Sequence, residues 1–299
     1  MLRASTDQSV RGSQLRVAAV QLNSSAEKDA NMAAADRLVR GAAGAGAELV
    51  VLPEKWTAIG TNEQMRAAAE TLEGPAIAWA RAVAAELGIE VVAGSILELL
   101  PGGDRLANTC VHVDRTGAVR ATYRKIHMFD VEVGGKSYRE SEIEEPGTEV
   151  VVSETADAVR LGLSICYDVR FPELYRIMAL RGATVMPLPA AFTWLTTRDH
   201  WEVLLRARAI ENQAFVAAAN QVGEHPGGHR SGGRSMIVDA WGVVLAQAQD
   251  TEGYALAELD FERQRRIRAE LPALANRQPG AYEWPPERVA EEHVAEILS

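Results

Sequence analysis

Three residues with reactive side chains each stand where a strand-like run ends. Cys166 closes the apolar run Leu161-Gly162-Leu163-Ser164-Ile165 and is followed by Tyr167-Asp168-Val169-Arg170-Phe171-Pro172-Glu173 and a helical pattern. A strand-to-helix elbow pushes a side chain out of its sheet and leaves backbone N–H groups free beside it, the geometry that a nucleophile and an oxyanion hole require. Glu54 closes Ala47-Glu48-Leu49-Val50-Val51-Leu52-Pro53, and Lys125 closes Val119-Arg120-Ala121-Thr122-Tyr123-Arg124. Ligands of α/β sheets bind outside the carboxyl ends of strands, so these residues are expected around one crevice.

At its ordinary pKa a thiol is only about a few per cent thiolate near neutral pH, yet the thiolate is the species that attacks. Cys166 therefore needs a base or a cation beside it. No histidine fits the role, since His127 lies close to Lys125 in sequence and the others are scattered. Glu54 as general base and Lys125 as cationic partner meet the need: the carboxylate takes the thiol proton, and the ammonium stabilises the charge on a carbonyl that becomes tetrahedral. Taken singly, each has a plainer reading. A glutamate or lysine at a strand end is ordinarily solvated, and a free cysteine is ordinarily a small buried hydrophobe, the reading Cys110 receives inside its strand.

The elements that must carry these residues follow from periodicity. Residues 1–13 are polar and read as a loose N-terminus, and Leu15–Gln21 as a buried strand. A helix over Glu27–Ala43 leads to the strand ending at Glu54, and helices over Glu63–Leu72 and Pro75–Leu87 follow. Strands are expected over Ile89–Leu97, Asn108–Asp114 and Val119–Arg124, the last two joined by a turn containing Gly117. Ile126–Thr148, weakly periodic and holding Gly134 and Gly135, reads as a long loop of the kind that is functional or disordered. Beyond it come strands Glu149–Ser153 and Val159–Ile165, the elbow, helix Pro172–Arg181, strand Thr184–Leu188, helix Arg198–Gln213 and strand Ala214–Asn220. Strands Ser235–Asp239, Val243–Gln247 and Tyr254–Leu259 and a helix over Glu262–Glu270 precede a proline-rich tail. Alternating strands and helices with added hairpins imply an α/β fold of mixed sheets covered by helices.

Composition narrows the function. A chain of 299 residues, 47% hydrophobic, can build a core without staples. With two cysteines and no signal-like N-terminus it reads as a cytoplasmic protein with free thiols, and no apolar run approaches a membrane span. A net charge of −10 argues against nucleic acid as a partner. Arg263, Arg265, Arg266 and Arg268 read as a solvated helix face balanced by Glu262 and Glu270. The glycines of Gly41-Ala42-Ala43-Gly44-Ala45-Gly46 follow a helix, and so mark its end instead of a phosphate loop.

Leu52-Pro53-Glu54, Tyr123-Arg124-Lys125-Ile126-His127-Met128-Phe129-Asp130 and Cys166-Tyr167-Asp168-Val169-Arg170-Phe171-Pro172-Glu173 resemble, in this order, the signature blocks of the nitrilase, or carbon–nitrogen hydrolase, superfamily. Supporting blocks are Arg139-Glu140-Ser141, the segment 200–213 and Ser235-Met236-Ile237-Val238-Asp239-Ala240-Trp241-Gly242. The resemblance implies a four-layer α-β-β-α sandwich with two mixed β-sheets over residues 14–272, and a tail, 273–299, packed on the domain or a partner subunit. It implies a Glu54, Lys125, Cys166 triad supported by Glu140, an oxyanion hole completed by the Tyr167 N–H, a thioester intermediate, no metal or cofactor, and a homodimer or larger homo-oligomer. Phe129, Thr193 and Arg170 are expected at the substrate.

Cys-Tyr-Asp looks like the amidase branches, where nitrilases more often carry Cys-Trp-Glu, and the blocks are most similar to omega-amidases and deaminated glutathione amidases. The implied reaction is hydrolysis of a small carboxylate-bearing amide to acid and ammonia. N-carbamoyl amino acid or nitrile hydrolysis is the alternative on the same fold. Arg170 can hold a 2-oxo acid carboxylate by a bidentate pair, against a plain salt bridge to Asp168 or Glu173. Two segments depart from the family pattern, Asn276–Tyr282 and the glycine-rich, loose stretch Gly223–Gly233, and both are candidates to line or cover the pocket.

Overall fold

The computed structural model describes residues 14–102 and 105–281. The expected loose N-terminus and most of the tail lie outside these residues. Two six-stranded mixed sheets form the centre. The first has the order β16 (Gly253–Asp260), β1 (Gln14–Gln21), β2 (Leu49–Val51), β3 (Glu90–Leu99), β4 (Leu106–Val113), β5 (Val119–Arg124). The second runs β15 (Val244–Gln247), β14 (Met236–Val238), β11 (Phe215–Asn220), β10 (Val185–Ala190), β9 (Arg160–Gly162), β8 (Val152–Glu154). Strands β1, β2 and β3 are parallel, as are β9, β10 and β11, and antiparallel strands flank both sets.

Strand alternation sorts the side chains into layers. In β1, Ala18 and Val20 pack on helices α1 (Lys28–Gly44) and α3 (Pro75–Leu87), together with Val50, Val91, Leu38 and Val83. Val17 and Ala19 face the other way, into a core shared with Leu188, Val216 and Ile237 of the second sheet. That core continues to α4 (Pro172–Leu180) and α6 (Glu202–Asn212) through Tyr175, Met178 and Leu205. The result is helices, sheet, sheet, helices.

Several local expectations need correcting. Ile126–Thr148 is not an irregular loop: β6 (Asp130–Val133) and β7 (Lys136–Arg139) pair antiparallel around Gly134 and Gly135, and a 3-10 turn spans Glu140–Glu142. Both glycines have positive φ, +60° and +74°, which a two-residue hairpin turn requires. Gly223–Gly233 is likewise ordered, with β12 (Val222–His225) paired to β13 (His229–Gly232). Helix α2 covers only Asn62–Ala68, because Glu70 exchanges backbone hydrogen bonds with Leu97 and Leu99 beside β3. The helix expected from Arg198 starts at α5 (Trp194–Thr196) and passes through a π turn, Thr197–Trp201, before α6. In α7 (Phe261–Glu270), Arg263 meets Asp239, and Arg268 is half-buried and donates to the carbonyls of Gln213 and Ala183, so the arginines are not one solvated face.

Candidate active site

Chain direction brings the ends of β2, β5 and β9 to one edge of the sandwich. After β9 the backbone enters a 3-10 turn, Cys166–Arg170, with Cys166 at φ +46°. A non-glycine residue in the left-handed region carries strain of order 1–3 kcal/mol and is held there only by its surroundings. Asp168 supplies the hold. Its Oδ2 accepts from the Ile165 N–H at 2.8 Å and the Tyr123 hydroxyl at 2.7 Å, and its Oδ1 accepts from the His127 N–H at 3.2 Å and ring Nδ1 at 2.7 Å. The fully buried Asp168 carboxylate thus ties the Cys166 elbow to the segment that carries Lys125.

Glu54 lies where the two sheets meet, its N–H reaching the Ala190 carbonyl of β10 at 3.4 Å. Its Oε1 accepts from Lys125 Nζ at 2.9 Å and Asn108 Nδ2 at 2.8 Å, and its Oε2 accepts from the Ala191 N–H at 2.9 Å. Lys125 also donates to Glu140 Oε2 at 2.7 Å, and that same oxygen accepts the Phe129 N–H at 2.9 Å. The Cys166 thiol shares a cavity wall with Glu54 and feels the charges of Glu54 and Lys125. Tyr167 is the second residue of the 3-10 turn, where an N–H has no acceptor within the turn.

The charges follow from burial and pairing. Burial works against the Lys125 ammonium, but Glu140 and Glu54 outweigh it and hold its pKa well above the ordinary value. Burial likewise opposes the Glu140 carboxylate, and Lys125 and Lys55 overcome it, leaving its pKa well below the usual range. Burial and then the Glu54 charge push the Cys166 thiol up, against Lys125. The resting cysteine is a thiol whose proton has a carboxylate waiting for it. Cys110, in contrast, is buried in β4 and pushed up by burial alone.

Cys166, Glu54 and Glu140 line a cavity of about 480 Å³, with Phe129 and Thr193 in its wall. The carbon-nitrogen hydrolase family model matches residues 16–269. This chain belongs to the carbon–nitrogen hydrolase family. Among similar proteins, a deaminated glutathione amidase of Synechocystis is 38% identical over 87% of this chain and 97% of its own length. An omega-amidase NIT2 of Danio rerio is 36% identical over 90% and 97%. The NitFhit protein of C. elegans superposes with a TM-score of 0.84 at 36% identity, covering 90% of this chain and 66% of its own. Saccharomyces cerevisiae Nit3 does so with 0.82 at 31% identity, over 91% and 99%. The two mixed sheets are those of the nitrilase superfamily, and the protein is a hydrolase of carbon–nitrogen bonds other than peptide bonds.

In this carbon–nitrogen hydrolase, three of the expected residues, Lys125, Tyr167 and Arg170, are not among those that line the cavity, Lys125 lying buried behind Glu54 and Glu140. The Arg170 guanidinium packs over Phe192 and Tyr167 and meets His200 Nδ1 at 3.2 Å. The plain bridge to Asp168 or Glu173 is not formed either, since Asp168 is taken up by Tyr123, His127 and Ile165. Asn108, Lys55 and Glu144 lie outside the sequence expectation, the last two in the cavity wall, whereas the stretch Gly223–Gly233, a candidate to line or cover the pocket, lines it through His225, His229, Arg230 and Ser231 of the β12–β13 hairpin.

Proposed function

We propose that the protein is a cysteine-dependent amidase that hydrolyses a small carboxylate-bearing amide, of the 2-oxo acid omega-amide or deaminated glutathione type, to an acid and ammonia. The observation that carries the reading is the convergence of Glu54, Lys125 and Cys166, with the buried ammonium hydrogen-bonded to the carboxylate and the carboxylate and thiol on one cavity wall. In the first step Cys166 Sγ bonds to the amide carbon while its proton passes to Glu54. The carbonyl oxygen becomes an oxyanion, and Lys125 Nζ and the Tyr167 N–H are the donors within reach. Collapse of the tetrahedral adduct breaks the carbon–nitrogen bond, and the amine takes the proton from Glu54 and leaves as ammonia. The thioester then receives a water whose proton goes to Glu54, and the thiolate leaves and regains it. Lys125 holds its charge throughout because two carboxylates flank it, so it acts as a fixed cation and not as the base.

The names of the similar amidases and the modest cavity support the substrate class. Ammonia release from 2-oxoglutaramate, 2-oxosuccinamate and deaminated glutathione, compared side by side, tests it, and release of carbon dioxide with ammonia from an N-carbamoyl amino acid would favour the carbamoyl alternative. No described helix is long and apolar enough to cross a membrane. Two free thiols support a cytoplasmic protein. Self-association as a homodimer is supported by exposed apolar residues, Ile177 and Leu180 on α4 and Val203 and Ile210 on α6.

A further inference from the structure

Beside the triad lies a second buried cation that the hydrolytic steps leave idle. Lys55 has φ +48°, and only 9% of its side chain is exposed. Its Nζ donates to Glu140 Oε1 at 2.9 Å and Glu144 Oε1 at 2.6 Å. An ammonium has three N–H donors, so one remains. Glu144 is 1% exposed, and its second oxygen, Oε2, is buried without a partner. An unpaired buried carboxylate oxygen is costly, and its retention beside a cavity points to a partner that arrives with the ligand.

Position adds to this. Glu140 stands between the two ammonium groups, Oε2 on Lys125 and Oε1 on Lys55, so Lys55 lies beyond Glu140 from the reaction centre. Lys55 and Glu144 line the same cavity as Cys166. A small substrate with its amide at Cys166 extends its other end along this wall. The other cations of the wall, Arg139 and Arg230, have side chains 42% and 48% exposed, and Arg230 is engaged by the Trp194 ring and Glu224. Solvent screens them, whereas Lys55 is not screened.

We propose that Lys55 and Glu144 seat the carboxylate of the substrate, the remaining Lys55 N–H taking one oxygen and a protonated Glu144 Oε2–H the other. The inference rests on the carboxylate-bearing amide reading. An anion bound here with Glu144 ionised would meet Glu140 and Glu144 against Lys55 and Lys125. Protonation of Glu144 removes one negative charge and turns an orphan acceptor into a donor. Burial, opposed by Lys55 and Lys125 and reinforced by Glu140, raises the Glu144 carboxyl to about 7, so the proton is available near neutrality. Arg105 approaches only the backbone carbonyl of Glu144, and Glu142, His225 and His229 line the rest of the cavity.

The seat couples binding to proton uptake. The test is calorimetric titration of the full-length Cys166→Ala protein with 2-oxosuccinamate at pH 8 and pH 5.5, in buffers of different ionisation enthalpy. The expected result is uptake approaching about one proton per ligand at pH 8 and almost none at pH 5.5, with affinity falling by up to about tenfold per pH unit above pH 7. Glu144→Gln in the same background should abolish the uptake, and Arg230→Ala should keep it. Tight binding without proton uptake at pH 8 overturns the seat while leaving the amidase reading intact, and needs no further variant to be informative. Uptake that survives Glu144→Gln overturns it too. If the parent enzyme releases ammonia from uncharged amides such as butyramide but neither hydrolyses nor binds any carboxylate-bearing amide, the substrate reading fails and the seat falls with it.

Discussion

Lys125 Nζ donates to Glu54 Oε1 at 2.9 Å in a pair almost closed to solvent, with 0% of the lysine side chain and 2% of the glutamate side chain exposed. Little water competes there, so the ammonium acts on a developing oxyanion at close to full strength. Lys125→Ala is expected to lower kcat/KM by at least about 100-fold, roughly 3 kcal/mol, as loss of an oxyanion donor does. It also leaves the buried Glu54 without its cation and Glu140 with Lys55 alone, so it should destabilise the fold by about 3 kcal/mol or more. Steady-state ammonia assays and urea unfolding of the same preparation measure both. A variant of near-parental kcat/KM would remove Lys125 from the chemistry.

Asp168 touches no substrate, yet it anchors the positive-φ backbone of Cys166 to Tyr123 and His127. Asp168→Asn replaces one acceptor oxygen by a donor facing other donors. The expected cost is about 2 kcal/mol or more in stability, together with a fall in kcat larger than the change in KM. Unchanged kinetics in a destabilised protein would make the anchor purely structural.

Glu140 and Glu144 give opposite pH dependences. The Glu140 carboxyl is held well below its ordinary 4.5, so its stabilising contribution is present above pH 4.5 and lost as pH falls through the folded value. The Glu144 carboxyl is raised from 4.5 to about 7, so its contribution is full below pH 4.5 and is lost as pH rises through 7. Urea midpoints measured across this window should fall in the parent relative to Glu144→Gln as pH goes from 4.5 to 7. Parallel curves would contradict the assignment.

Much of this was legible in the chain. Cys166, Glu54 and Lys125 were visible because each lies at or within four residues of a strand's carboxyl end, Lys125 directly after β5, Glu54 three residues past β2 and Cys166 four past β9, where sheets expose side chains. Pro75 marked the first turn of α3 because its fixed φ and missing N–H suit that position. Lys55 and Glu144 were not legible, since their meeting depends on two segments about 90 residues apart and the left-handed backbone at Lys55. The Gly134-Gly135 and Gly227-Gly228 pairs read as looseness when they are tight turns, because the sequence does not reveal that positive φ there closes a hairpin. The Arg170 contacts were not legible either, since its meeting with His200 and Phe192 depends on where a 3-10 turn sets it beside segments more than twenty residues away.

The exposed apolar residues of α4 offer a test of self-association. Ile177→Asp with Leu180→Asp should shift the protein to monomer in light scattering at micromolar concentration. A parent that is itself monomeric would refute the dimer.

The central claim is that Cys166 forms the acyl-enzyme. The most direct measurement is acid quenching of the enzyme during turnover of a 2-oxo acid amide, followed by mass spectrometry of the peptide that contains Cys166, with ammonia release by Cys166→Ala alongside. The account predicts an acyl mass increment on Cys166 and no turnover by the variant. Ammonia release by Cys166→Ala at the parental rate, with no increment in the parent, would contradict it.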